Sequence, residues 1–280
     1  MSLLHQILPA VIVALLVAAG VCAVGVGWPG RGATVLVLVP CAAACGYICG
    51  HLMTTGVTAF PPVDTINWLP YFALAAAVLG IIQEILSPPA WIRLLAFALF
   101  SAGTMSLLLS PRLQREWTFG QGLLWVGCLA VGMVALGLVC DALCRNSSAP
   151  ITTPAFLLLP CAGAAVALML SGSILLGQLA AIFAAAVFGS VIPGLRRVAI
   201  GKGIAPVFAT LLSALLASGC FFADLPAQSA LLLAVAPALG LVRTGKLPAL
   251  WAVAVRAGLV AAAVLIALVT AFLASPPLDY

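Results

Sequence analysis

The sequence predicts an all-α fold, a polytopic bundle of transmembrane helices with about ten spans, and three observations carry that expectation. Of 280 residues, 65% are apolar and only 6% are charged, too few charges to clothe a water-facing globule. The charges fall between apolar runs about 20 residues long, the length of helix that crosses a hydrocarbon core of roughly 30 Å. Proline, glycine or a polar cluster closes each run, and a helix satisfies every backbone N–H and C=O within its own segment when no water is present. Residues 1–280 are therefore expected to form a single integral membrane domain.

The spans follow in order. The first is read at 7–27. Met1–Gln6 carries no Lys or Arg and the apolar stretch outruns a signal-peptide core, so it is expected to be retained; Val21 also stands where a lipoprotein site before Cys22 would need a small residue. Trp28-Pro29-Gly30-Arg31-Gly32 breaks it from a second span at 34–53, and Pro61-Pro62 lies before a third at 69–87. Ser87-Pro88-Pro89 leads into 91–110, Ser110-Pro111 into 120–144, and Asn146 to Pro154 into 154–170. Ser171-Gly172-Ser173, Pro193-Gly194, Asp224 to Pro226 and Arg243 to Lys246 then bound the spans at 174–192, 205–222, 227–242 and 247–274. These are turn-forming residues. Connections so short predict that sequential helices pack as antiparallel hairpins.

Basic residues orient the bundle. The odd-numbered connections hold eight Lys and Arg (31, 93, 145, 196, 197, 202, 243, 246) and the even ones hold Arg112 and Arg115. That bias places the odd loops in the cytoplasm and both termini outside, and the expected location is a bacterial cytoplasmic membrane. Trp28, Trp68, Trp91 and Trp117 fall at span ends, as headgroup-level rings should, whereas Trp125 and Trp251 do not. A weak parallel repeat pairs each span with the one four later: LVLVPCAA at 36–43 with FLLLPCAG at 156–163, AAAV-x-G at 75–80 with 184–189, and ALGLV at 135–139 with 238–242.

Candidate chemistry is sparse. Cys41, Cys45 and Cys49 recur every four residues along one helical stripe. Ala42, Gly46 and Gly50 form a parallel small-residue ridge that suits close helix packing. Nine cysteines in or beside apolar runs read as small hydrophobes rather than a disulfide framework. Cys49, His51 and Met53 gather three soft ligand types, yet alternate residues on a helix diverge, so they are at most weak metal candidates and no metal or other cofactor is expected. Glu84, Arg256 and Asp141 are ionisable groups in or near spans, where charge marks a substrate or ion path by default. Glu84 also sits one turn before the proline turn and in reach of Arg93; Arg256 either snorkels to the interface or pairs with Glu84 or Asp141. The only basic cluster, Arg196, Arg197 and Lys202, does not match a phosphate loop and is expected to contact lipid headgroups. Asp64 reads as a solvated loop acid.

Scattered basic residues form no nucleic-acid stripe, so the expected partners are membrane lipids, with a homo-oligomer or membrane-complex partners open. Two histidines, one of them His5, give an intramembrane enzyme little material. A small-solute transporter is the best functional reading, its path drawn from Gln83, Gln178, Thr104, Ser106, Ser190 and Ser213 besides the charged candidates. The alternative is a non-catalytic scaffold or subunit of a larger membrane complex.

Overall fold

The computed structural model describes residues 3–26, 31–57, 60–62, 64–146, 152–192, 203–244 and 248–274. Among the described residues the order is α1 (Leu3–Val26), α2 (Arg31–Thr55), a 3₁₀ turn (Thr65–Trp68), α3 (Leu69–Leu86), α4 (Ala90–Leu108), α5 (Ser110–Arg115) and α6 (Phe119–Asn146). It continues with α7 (Thr152–Leu170), α8 (Ile174–Val191), α9 (Ile204–Phe222), α10 (Ala227–Leu239) and α11 (Ala249–Ala274). Eight helices hold a stretch long and apolar enough to cross a membrane, and α7 and α10 hold shorter ones, Ala155–Leu170 and Ala227–Leu239. These long apolar helices make the chain an integral membrane protein.

Local chemistry sets the helix ends. Ser87 ends α3 in the left-handed region (φ 41°), and Pro88 after it has no N–H with which to carry the helix on. At the start of α6, Thr118 Oγ1 accepts from the Gln121 N–H at 3.4 Å while Gln121 Oε1 accepts from the Thr118 N–H at 3.2 Å, a reciprocal capping box. Ser173 caps α8 by accepting from the Leu176 N–H at 3.3 Å.

The expected hairpins form in part: α1 packs on α2, α2 on α3, α4 on α6, α7 on α8 and α10 on α11. α3 and α4, joined by three residues, barely touch, and neither do α6 and α7. Instead α9 lies at the centre, packed on α3 and α6 and touching α2, α4, α7, α8 and α10, with most of its side chains buried. Lipid offers no hydrophobic drive between neighbouring helices, so contact goes where small residues let backbones meet. Gly80 is such a place: a Cβ there would sit 2.2 Å from the Gly203 carbonyl oxygen.

The tightest group is α1, α2 and α8. Ala10, Ala14, Ala18 and Cys22 bury one face of α1 at every fourth residue. A Cβ on Gly46 would stand 2.5 Å from the Ala14 carbonyl oxygen, and one on Gly189 2.4 Å from that of Leu15. The packing ridge of α2 is therefore Ala42, Gly46 and Gly50. The cysteine stripe lies one residue round from it, with Cys45 exposed and Cys41 and Cys49 half-buried. As for the internal repeat, the corresponding pairs α2–α3 and α7–α8 both pack, whereas α1 lies along α2 and α6 hardly meets α7.

Two ends of the bundle can be distinguished. The basic end gathers the α3–α4 turn, the C-terminal ends of α6 and α10, and the start of α9. The opposite end carries Asp64, α5, Asp224 and the C-terminal end of α9. α7 and α10 both run between them. Thr153 donates to the Leu143 carbonyl at the basic end, while Leu168 sits against Gly219 at the other. α10 starts just after Leu225, whose N–H donates to the Gly219 carbonyl, and finishes where Gly240 meets Phe156 and Leu143.

Candidate functional site

Glu84 and Gly203 form the junction between α3 and α9. The absence of side chains at Gly80 and Gly203 lets α3 approach the first turn of α9, with the Pro40 ring of α2 closing the third side. Glu84, one turn after Gly80, then accepts from the Gly203 N–H through Oε1 at 2.8 Å. A carboxylate at a helix N-terminus meets unpaired N–H groups and the positive end of the helix dipole, worth up to about 2 kcal/mol where partly buried. Glu84 is thus bound to a backbone 119 residues away, which nothing in its own neighbourhood announces.

Beside this junction lies a cavity of about 420 Å³ between α3, α4, α6 and the start of α9. Its polar lining is Gln83, Arg93, Asp141 and Arg145, and its walls include Trp91, Leu94 and Phe97 of α4 with Leu138 of α6. Arg145 holds Asp141 through two bonds one helical turn apart, Nε to Oδ1 at 3.2 Å and Nη2 to Oδ2. Among the described residues Arg93 has no such partner, and its Nε is buried without a hydrogen bond. Among the described residues the ion pairs are Arg145–Asp141 and Arg112–Glu116. Arg93 and Glu84 are therefore not an ion pair.

A second cavity of about 510 Å³ opens at the opposite end. Its lining is more polar, with Thr54 and Thr55 of α2, Asp64, Thr65 and Asn67 of the loop, and Ser218 of α9. Both cavities touch α9, at Ala205 and Pro206 and at Ser218 and Phe222, separated by twelve residues or about 18 Å of helix. Between them along α9 the core is aromatic. Tyr47, Phe183 and Phe208 are fully buried, with ring centroids 6.1 Å and 5.9 Å apart, and the Tyr47 hydroxyl lies 3.4 Å from His51 Nδ1.

Among the described residues three hydroxyls, Thr210 and Ser218 of α9 and Ser101 of α4, are buried without a hydrogen-bond partner. A helical Ser or Thr ordinarily bonds back to its own helix, as Ser106 does to the Ala102 carbonyl at 2.8 Å and Ser190 to that of Val187 at 2.7 Å. An unmade buried bond costs about 1–3 kcal/mol. Sequence reasoning named Ser106 and Ser190 as path residues and missed Thr210, Ser218 and Ser101; only the three-dimensional surroundings separate the two sets. Of the other path residues, Gln83 lines the basic-end cavity and Thr104 and Gln178 are buried.

Arg256 lies apart from this centre. Its Nε donates to the Val242 carbonyl at 2.9 Å and its Nη2 to Thr244 Oγ1 at 3.3 Å, tying the start of α11 to the turn after α10. It forms no ion pair with Glu84 or Asp141, each of which is bonded elsewhere. Trp251, in the first turn of α11, is a helix-end ring after all, and Trp125 joins Trp117 and Phe221 in an aromatic cluster at the opposite end. Cys49 is half-buried, His51 buried and Met53 exposed, so the three diverge. No group of three His, Cys, Asp or Glu is gathered as metal ligands among the described residues. Arg196, Arg197 and Lys202 lie outside the described residues. The chain matches no protein-family model, no curated protein and no solved structure.

Proposed function

We propose that the chain is a small-solute permease of ten spans, α7 and α10 being short ones, whose path follows α9 from one cavity to the other. The observation that carries this reading is the pair of cavities at the two ends of one central, buried helix, with Thr210 and Ser218 unpartnered along it. The Tyr47–Phe183–Phe208 stack supplies the barrier between them, so the conformation described is a closed one. The bias of basic residues supports a cytoplasmic position for the basic end. Glu84 fastens the moving partners α3 and α9 at that end, and Asp141 with Arg145 lines the inner chamber.

Thiol accessibility and flux test this together. With the native cysteines replaced, a thiol at Thr55 should react with a membrane-impermeant reagent from outside and one at Ala90 from inside. A thiol at Thr210 should react from either side only while solute turns over. Proteoliposomes should pass at least one member of a panel of small neutral, anionic and cationic solutes faster than empty vesicles, and Thr210→Phe should stop it. Silence at position 210 together with no flux for any solute would leave the scaffold reading.

A further inference from the structure

We infer that the basic-end cavity binds the anionic head, phosphate or carboxylate, of an amphiphile whose apolar part lies along Trp91, Leu94, Phe97 and Leu138. The charge argument is direct. Two guanidinium groups and one carboxylate face the cavity, and the carboxylate of Asp141 is consumed by Arg145. Glu84 does not line the space and gives an oxygen to the Gly203 N–H. Among the described residues one positive charge, that of Arg93, has no ion-pair partner, and its Nε is already out of water and unbonded. A guanidinium in a half-apolar setting costs free energy unless it is paired. Its fork of donors matches the oxygens of a phosphate or carboxylate.

The walls select the rest of the ligand. Apart from its four polar residues the cavity is bounded by aromatic and aliphatic side chains. Trp91 and Leu94 are also exposed on the outer face of α4, where an acyl or alkyl chain would lie. Gly137 makes this shape possible, since a Cβ there would meet the Phe97 ring at 2.4 Å. A volume of about 420 Å³ is of the size that holds a small ligand or a headgroup with the first part of its chain. The same anion chemistry has two sources, a membrane lipid headgroup or a free phosphate. As a statement of what is carried the inference rests on the permease reading; as a statement of what binds it does not.

The test uses the full chain in maltoside micelles titrated with octyl phosphate, read by Trp91 fluorescence with Trp91→Phe as the blank and octyl glucoside as the headgroup control. Saturable binding of octyl phosphate is expected, weakened about tenfold or more in Arg93→Gln, the size of one lost charge-assisted hydrogen bond. Arg93→Lys should fall in between. Leu138→Trp, which fills the cavity from an exposed wall position, should block binding while leaving Arg93 in place. Should Arg93→Gln fail to fold, Arg93→Lys and Leu138→Trp decide. Inorganic phosphate without effect identifies a lipid-type amphiphile; competition by it, with the same dependence on Arg93, identifies a free anion. No saturable binding of either probe, or binding indifferent to Arg93 and Leu138, overturns the inference. Binding without flux in proteoliposomes would overturn the permease reading alone, and flux indifferent to Arg93→Gln would overturn the anion as cargo alone.

Discussion

The α1–α2–α8 group and the α4–α6 pair are made from much the same apolar alphabet, yet one is closed and the other holds a cavity. In the first, Gly46, Gly50 and Gly189 face Ala10, Ala14, Ala18 and Ala186 closely enough that any added Cβ would collide with a carbonyl or a methyl group. In the second, Phe97 closes on Gly137, while beside that contact Trp91, Leu94 and Leu138 border a space in which Arg93, Asp141 and Arg145 sit. In lipid, where apolar side chains gain nothing by leaving one another's company, the size of the interfacial residue decides whether two helices meet. Polar groups persist where it keeps them apart.

The largest blow to this contrast should be Gly46→Leu. Its side chain has the Ala14 backbone as an obstacle, so destabilisation of at least about 3 kcal/mol, the upper end of over-packing costs, is expected in denaturant titration of the purified protein. A loss below about 1 kcal/mol would show that α1 yields and that the contact is not a backbone one.

Next is the α3–α9 junction. Glu84→Ala should cost about 1–3 kcal/mol by leaving the Gly203 N–H unpaired. Glu84→Gln, which keeps an acceptor and loses only the charge at the helix terminus, should cost about 1 kcal/mol. Combined with Arg256→Met, either change should be additive within about 0.5 kcal/mol, because the two residues share no partner. A larger coupling in a double-mutant cycle would join the two sites.

Asp141→Asn sharpens the cavity side. It releases Arg145 and adds a positive charge to the lining, so octyl phosphate should bind a few-fold more tightly. Stability should change by no more than about 1 kcal/mol, the range of part-exposed ion pairs. Weaker binding would mean that Asp141 positions the ligand rather than opposing it.

Smallest of all, Cys45→Ala and Gly132→Ala should each change stability by about 0.5 kcal/mol or less. Cys45 is exposed, and a Cβ on Gly132 meets nothing within 4 Å. Either becoming severe would place the cysteine stripe of α2, or a face of α6, against something outside this chain.

Much of this architecture is legible in the sequence, and the part that is not has a common character. The helices announce themselves because Pro88-Pro89, Ser173 and the Thr118–Gln121 pair act on their immediate neighbours. Gly46 and Gly50 are readable as a packing ridge from their spacing. Arg256 misleads, since a cation ten residues past Lys246 suggests a buried pair, whereas α11 begins at Ala249 and its second turn still reaches the Val242 carbonyl. Glu84 misleads in the same way: Arg93 is its nearest cation along the chain, but Gly203 reaches it first through the fold.

By itself the sequence determined that this is an all-helical membrane protein, roughly where its long helices lie though not the short α5, and which ridge of α2 admits a close neighbour. Membrane residence and helix ends follow from transfer and capping energies settled within a segment, whatever the rest of the chain does. Only the tertiary structure decided that α9 is central, that α3 and α4 part company, that Glu84 serves Gly203, and that Arg93 is left unpaired in a cavity. Those outcomes depend on which of many equally apolar faces meet. Among such faces a few glycines and hydrogen bonds, far apart in sequence, make the difference.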